Sequence, residues 1–300
     1  MAEGGIGRIG FVGIGAMGWP MARRLVTAGF DVAVHDRDHD RVRRFTREVG
    51  GRAAFTVEEV SRGEVLITML PTSREVEAVL MAAQPGLEAG AVVIDMSSGE
   101  PAVTRRLAET LAARGVGMLD CPVSGGVSRA ESGELALLAG GPAELLERLR
   151  PLLMAMGSSL HHCGPVGAGQ AMKALNNLVS AAGFLAGIEA LAIGQKFGLD
   201  PALMVDVLNA STGMNNSTQK KFKQFVLSRR FDSGFGLDLM VKDLTIALGL
   251  GRAVDAPAPF AALCRELWAA AAHLLGPGQD HTALAKMVER QTGARLGEGE

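Results

Sequence analysis

Residues 8–36 read RIGFVGIGAMGWPMARRLVTAGFDVAVHD, and this stretch decides the fold. The apolar run Ile9 to Val12 has the length of a short buried strand. Gly13, Gly15 and Gly18 follow at once, in the spacing G-x-G-x-x-G. Met21, Ala22, Leu25 and Val26 then recur at helical intervals, and Gly29 stands where a helix gives way to a left-handed residue. A second strand, Asp31 to Val34, runs into an acid, Asp36, 23 positions after Gly13. Strand–loop–helix–strand units that hold a dinucleotide place such an acid roughly 20 residues on.

Each glycine has a separate reason to be there. Gly13 permits the tight turn out of the strand, Gly15 lets a pyrophosphate approach the backbone, and Gly18 lets the helix lie close on the strand. The helix N-terminus offers N–H groups and the positive end of its dipole to the phosphate. Asp36 can accept hydrogen bonds from a ribose 2′-hydroxyl and would repel a 2′-phosphate, so the expected cofactor is NAD. Arg37, next to it, can pair with a phosphate and keeps NADP possible.

Outward from this unit, strands and helices alternate. Val65 to Leu70 and Ala91 to Ile94 are apolar runs of strand length, and Val116 to Leu119 returns as a strand into Asp120. Helical patterns lie between them, at Asp38 to Val49, from a cap at Ser73 to Met81, and at Pro101 to Arg114. Leu135 to Ala139 and Ser158 to His162 read as two further strands extending the sheet. This alternation implies a parallel sheet, with ligands at the carboxyl ends of its strands.

After Gly164-Pro165 the character changes. A long helix is expected from Gln170 to Phe197, then helices at Pro201 to Ala210, Asn216 to Leu227, Leu237 to Val254, Ala258 to Leu275 and Thr282 to Thr292. The fold class is an α/β Rossmann domain with a doubly wound, mostly parallel sheet, followed by an all-α domain joined by a long interdomain helix. The domains are expected at 1–165, for the dinucleotide, and 166–300, for substrate and self-association. A half built around one such helix is expected to form a homodimer or homotetramer.

Composition removes several function classes. Of 300 residues 48% are apolar, enough for a large core without disulfides, and the net charge of −2 with acids and bases interspersed gives no support for nucleic-acid or anionic-membrane binding. Tyrosine is absent, which disfavours base-stacking platforms. The three cysteines, Cys121, Cys163 and Cys264, are far apart and fit a reducing compartment. No basic segment followed by a long apolar run opens the chain, and no apolar run of 18 residues lacks charge. Neither a leader nor a membrane span is therefore expected, and the expected location is the cytoplasm.

Lys173 is the strongest catalytic candidate, near the start of the long helix and just after Gly167 and Gly169. Asn177 is four residues on, so the two side chains share a helix face. An ammonium beside an amide can donate to a developing alkoxide and shuttle a proton; a solvent-facing lysine on an amphipathic helix has the same spacing. Ser124-Gly125-Gly126, after a strand, exposes backbone N–H groups and a hydroxyl that suit a carboxylate, though an ordinary turn reads the same way. Lys242, in a mostly apolar helix, reaches a cofactor or carries its charge out to solvent. His161 and His162 point to opposite faces of a strand and cannot easily chelate one ion, so no metal is expected.

Taken in order, these segments resemble the β-hydroxyacid dehydrogenase family, over nearly the whole chain from Ile9 to about Met287. Gly13-Ile14-Gly15-Ala16-Met17-Gly18 is similar to its cofactor motif, and Asp120-Cys121-Pro122-Val123-Ser124-Gly125-Gly126 to its substrate motif. Gly167-x-Gly169-x-x-x-Lys173-x-x-x-Asn177 is similar to its catalytic motif, and Lys242-Asp243-Leu244 to a later cofactor-contacting segment. The resemblance implies Lys173 as acid/base, Asn177 as its companion, and Ser124, Gly125 and Gly126 on the substrate carboxylate. It also implies that Leu70, Pro71, Ser98 and Lys242 join the glycine loop around the cofactor. Cys121 and Ser98 depart from the alanine and threonine usual in the family, and neither change removes a needed donor.

The expected activity is hydride transfer between a nicotinamide cofactor and the β-carbon of a small 3-hydroxy acid, or reduction of the matching semialdehyde or keto acid. Two rivals are a dinucleotide-binding, redox-sensing protein without turnover and an imine reductase on the same fold. The Lys173–Asn177 pair argues against both.

Overall fold

A computed structural model of the chain describes residues 6–297. The first half runs β1 (Ile9–Val12), α1 (Gly18–Thr27), β2 (Val32–His35), α2 (His39–Glu48), β3 (Arg52–Ala53), α3 (Val57–Ser61), β4 (Val65–Thr68), α4 (Ser73–Ala83), β5 (Val92–Asp95), α5 (Pro101–Ala112) and β6 (Gly117–Asp120). It continues through β7 (Val123–Ser124), α6 (Gly126–Ser132), β8 (Leu135–Gly140), α7 (Ala143–Met154) and β9 (Gly157–Gly164) to α8 (Ala168–Phe197). The helical half adds α9 (Pro201–Asn209), α10 (Asn216–Lys220), α11 (Leu237–Ala253), α12 (Pro259–Leu275) and α13 (Leu284–Thr292). The chain divides into two compact units inside α8, between Lys173 and Ala174.

In the first unit the sheet order is β3-β2-β1-β4-β5-β6-β8-β7, with β9 on β8. The strands from β3 to β6 pair in parallel, whereas β8 is antiparallel to β6 and β7 and parallel to β9. The order reverses between β1 and β4, so the loop after β1 lies at the switch point where such sheets bind ligands.

The central strands β1, β4 and β5 are apolar until their last residues because both of their faces are buried. Ile9, Phe11, Val34, Ile67 and Ile94 join a core with Met21, Leu25 and Phe45 from α1 and α2. Their neighbours Val12, Ala33, Leu66 and Val93 join a separate core with Leu80 and Leu107 from α4 and α5. Successive residues point to opposite faces, so burying both faces requires continuous apolar runs.

The second unit packs around Trp268, fully buried against Phe184 and stacked on His281. Phe184, Ile188 and Leu191 of α8 share this core with Val205, Phe222, Leu244, Leu284 and Val288. By length and composition alone α8 is apolar enough to cross a membrane, as core helices of globular units also are; its inner face belongs to the unit's core.

The structure corrects several local readings. Thr72, rather than Ser73, caps α4, accepting from the Arg74 N–H at 3.2 Å, while the Ser73 hydroxyl accepts from the Glu100 N–H at 2.7 Å. The helix expected over Asn216 to Leu227 breaks at Lys221 and resumes as a π-helical turn from Phe222 to Leu227, which buries both Phe222 and Val226. The segment from Thr282 opens as a 3₁₀ turn before α13, with Asp280 accepting from the Thr282 N–H. Helix α7 adds to the expected elements, with Leu146, Leu149 and Leu153 carrying its period; Pro151 lies inside it without ending it.

Replacing Trp268 by alanine empties the largest buried side chain of the second unit. Equilibrium denaturation should show a loss of about 3–5 kcal/mol; a loss under about 1 kcal/mol would mean the site collapses or stays wet.

Candidate active site

The glycine loop comes first because its geometry allows little else. Gly13 has φ +92°, and a Cβ there would meet the Met69 carbonyl oxygen at 2.3 Å. A Cβ on Gly18 would lie 1.8 Å from the Gly13 oxygen, so α1 can start this close to the end of β1 only without a side chain. At Gly15 an added Cβ would meet nothing within 4 Å, which leaves the backbone open to a ligand. No side chain caps α1. Ile14 is buried, Met17 half-buried and Ala16 exposed. These features fit a dinucleotide phosphate.

Asp36 directly follows β2 and is 7% exposed. Its Oδ2 accepts from the Ile14 N–H at 3.0 Å and its Oδ1 from the Asp38 N–H at 3.0 Å. The carboxylate thus ties the glycine loop to the start of α2. Arg41 Nη1 donates to both oxygens, at 3.1 and 3.2 Å. The sequence draws attention to the adjacent Arg37, which is exposed, and not to Arg41. The signal for Arg41 is nonetheless there, since it lies one helical turn into the segment that Asp38 caps.

Along the strand ends, the Leu70 N–H donates to Ser97 Oγ at 2.9 Å, Pro71 is exposed and Ser98 is half-buried. Ser124 lies in β7, paired with Ala136, and Gly125 and Gly126 turn into α6 with φ of +139° and +72°. Cys121 is fully buried, and burial pushes its thiol well above the usual range, as befits a packing residue.

What sequence reasoning missed is a group of buried polar side chains where β4, β5 and β6 end. Asp95 Oδ1 accepts from the Thr68 hydroxyl at 2.9 Å and from the Ser97 N–H at 3.0 Å. Its Oδ2 accepts from Gln170 Nε2 at 2.9 Å, and the Gln170 Oε1 accepts from the Thr104 hydroxyl at 2.5 Å. Asp120 accepts from the Gly167 N–H at 2.6 Å and the Gln170 N–H at 2.8 Å, which fixes the first turn of α8. The only sequence signal is that Asp95 and Asp120 both close apolar strands. Burial raises both carboxyls, that of Asp95 to about 6.

Lys173 stands in the second turn of α8 and is 9% exposed, so the solvent-facing alternative does not hold. In the second unit Asn177 is buried, and its Nδ2 donates to Asp243 Oδ2 at 2.5 Å. Asp243 Oδ1 lies 3.4 Å from Lys242 Nζ. Asp243, which the sequence shows only as a neighbour of Lys242, therefore joins Lys242 to Asn177.

Two family models match the chain. One describes the NAD binding domain of 6-phosphogluconate dehydrogenase, over residues 8–164. The other describes the NAD-binding region of NADP-dependent 3-hydroxyisobutyrate dehydrogenase, over residues 167–288. The chain is 38% identical to 3-hydroxyisobutyrate dehydrogenase of Pseudomonas aeruginosa, covering 93% of this chain and 97% of that one. It is 34% identical to 2-(hydroxymethyl)glutarate dehydrogenase of Eubacterium barkeri, covering 98% of each. Among solved structures, the Mycobacterium tuberculosis 3-hydroxyisobutyrate dehydrogenase with L-serine is 31% identical, with TM-score 0.87 over 95% of this chain and 99% of that one.

Asp95 gives the site a pH signature in stability. Its folded value, near 6, lies above the ordinary 3.8, so between these values the folded chain holds more protons than the unfolded one. Stability contributed at this position falls as pH rises through that window. The difference in unfolding free energy between wild type and Asp95→Asn should therefore drop by on the order of 3 kcal/mol from about pH 4 to about pH 6.5. Urea titrations at several pH values check it, and a pH-independent difference would contradict it.

Proposed function

We propose a reaction on one premise: the chain belongs to the β-hydroxyacid dehydrogenase family and is a nicotinamide-dependent hydroxyacid oxidoreductase. NAD(P), when bound, would supply the hydride chemistry, exchanged with the β-carbon of a small 3-hydroxy acid. The protein's own task is the proton and the orientation. In the oxidative direction the neutral amine of Lys173 accepts the hydroxyl proton as the C–O bond becomes a carbonyl. In the reductive direction the ammonium returns a proton to the oxygen of a semialdehyde or keto acid.

The observation that carries this reading is the place of Lys173. It is buried one turn beyond a helix start that Asp95 and Asp120 hold at the carboxyl ends of β5 and β6. Ligands of doubly wound sheets bind at that edge. Asn177, one turn on along α8, is proposed as the companion of Lys173. Ser124 with Gly125 and Gly126 would hold the substrate carboxylate through a hydroxyl and backbone N–H groups. The loop Gly13 to Gly18, with Ile14, Ala16 and Met17, would take the pyrophosphate, and Asp36 the ribose. Leu70, Pro71, Ser98 and Lys242 complete the proposed cofactor contacts.

We read NAD as the preferred cofactor, because a buried carboxylate at Asp36 disfavours a 2′-phosphate. Arg37 and Arg41 temper that preference without reversing it. A homodimer or homotetramer is supported by α8, where Val179, Ala186 and Ile193 are exposed seven residues apart and Phe197 lies one turn further. Three free thiols fit the cytoplasm.

Two measurements test the reading. Lys173→Ala should lower kcat by roughly 100-fold to 10,000-fold while NADH binding, read by fluorescence, persists. Ser124→Ala should act mainly on KM, by about 10-fold to 150-fold, as expected for losing one charge-assisted hydrogen bond. An alanine at 173 that turns over near the wild-type rate on the best 3-hydroxy acid of a panel would refute the mechanism.

The second measurement is kcat/KM with both cofactors on one substrate. NAD should win by on the order of 10-fold or more, a difference of about 1.4 kcal/mol. A clear NADP preference would overturn the role given to Asp36.

A further inference from the structure

Two carboxylates, Asp95 and Asp120, are buried where the parallel strands end, where the Thr68 hydroxyl, backbone N–H groups and the Gln170 amide donate to them. Burying charge this way is costly. Apolar contacts alone could hold a helix against a sheet, so the cost needs another reason. What polar contacts add is direction.

Gln170 is where those directions meet. Its backbone N–H donates to Asp120, its side-chain NH₂ to Asp95, and its side-chain oxygen accepts from Thr104 of α5. A carboxylate can only accept and must face the NH₂, which leaves the amide one orientation. Residues Asp95, Thr104, Asp120 and Gln170 are each at most 2% exposed. The backbone is equally confined. A Cβ on Gly169 would lie 2.1 Å from the Leu138 oxygen, and one on Gly140 would lie 2.4 Å from Asp120 Oδ1 and 2.9 Å from the Gly169 nitrogen. The first turn of α8 can therefore neither rise from the sheet nor roll on it. Lys173 is three residues beyond Gln170, on a neighbouring position of the same helix face.

We propose that Gln170, clamped by Asp95, Asp120 and Thr104, is the positioning residue that sets the azimuth of α8 and hence the place of the Lys173 amine. The proposal rests on the acid/base reading of Lys173. A displacement of about 1 Å at a reacting group costs on the order of 100-fold in rate, so a clamp three residues away is kinetically visible.

The test uses the full chain with NAD and the best 3-hydroxy acid of the panel. Gln170→Met keeps the length and apolar volume of the side chain and removes the amide. It should lower kcat by roughly 10-fold to 100-fold, with KM and NADH affinity within about twofold. Thr104→Val should lower kcat in the same sense by about 3-fold to 10-fold, and Thr104→Ser, which keeps the hydroxyl, should restore it. The decisive arm is a double-mutant cycle with Lys173→Ala. A residue that acts only through Lys173 has nothing left to position once the amine is gone, so Lys173→Ala/Gln170→Met should be no slower than Lys173→Ala. Independent, multiplying losses would overturn the proposal and leave the acid/base reading intact. So would an unchanged kcat in Gln170→Met. A Lys173→Ala variant with wild-type turnover would instead refute the reading beneath it. If Gln170→Met does not fold, Thr104→Val carries the same cycle.

Discussion

The central parallel strands of the first unit are buried on both faces, and that constraint decides where their polar residues can go. A strand with cores on either side has no face left for a charged or hydroxylated residue. Ile9 to Val12, Val65 to Ile67 and Val92 to Ile94 are accordingly free of charged and hydroxylated side chains. Polar side chains gather at the carboxyl ends, at Thr68, Asp95 and Asp120, where the ladder stops and helices begin. The proposed chemistry is concentrated at the carboxyl ends of these strands because their buried interiors have no room for it.

At these ends, buried carboxylates serve as joints. Asp36 binds the turn after β1 to the start of α2. Asp120 binds the end of β6 to the start of α8, and Asp95 reaches the same helix turn through Gln170. The first accepts from an arginine and two N–H groups, Asp95 from the Thr68 hydroxyl, the Ser97 N–H and the Gln170 amide, and Asp120 from two N–H groups. Desolvation lifts Asp95 and Asp120 against these hydrogen bonds. The second unit has a comparable joint in Asp280, whose carboxylate collects the Ser233 hydroxyl, the Gly234 N–H and the Thr282 N–H, and whose carboxyl is held far below the usual range.

Much of this molecule was determined by its sequence alone. The glycines at 13, 15 and 18 encode a backbone path, and a path needs only neighbouring residues to specify it. The same holds for the apolar runs, for Gly29 after α1 and for the long period of α8. The place of Lys173 on that helix was legible for the same reason, and the family resemblance rests on such local spacings. Short elements were harder: β3 and β7 are two residues each, too brief for any period to show.

Only the tertiary structure decided which distant groups meet. Asp120 reaches Gly167 and Gln170 across 47 and 50 positions, Gln170 reaches Asp95 across 75, and Asn177 reaches Asp243 across 66. No spacing rule spans such intervals, because each pairing depends on strand order and on how a helix lies against its neighbours. Burial was likewise hidden. A lysine on an amphipathic helix and a lysine buried at a sheet edge have the same local sequence, and packing alone separates them.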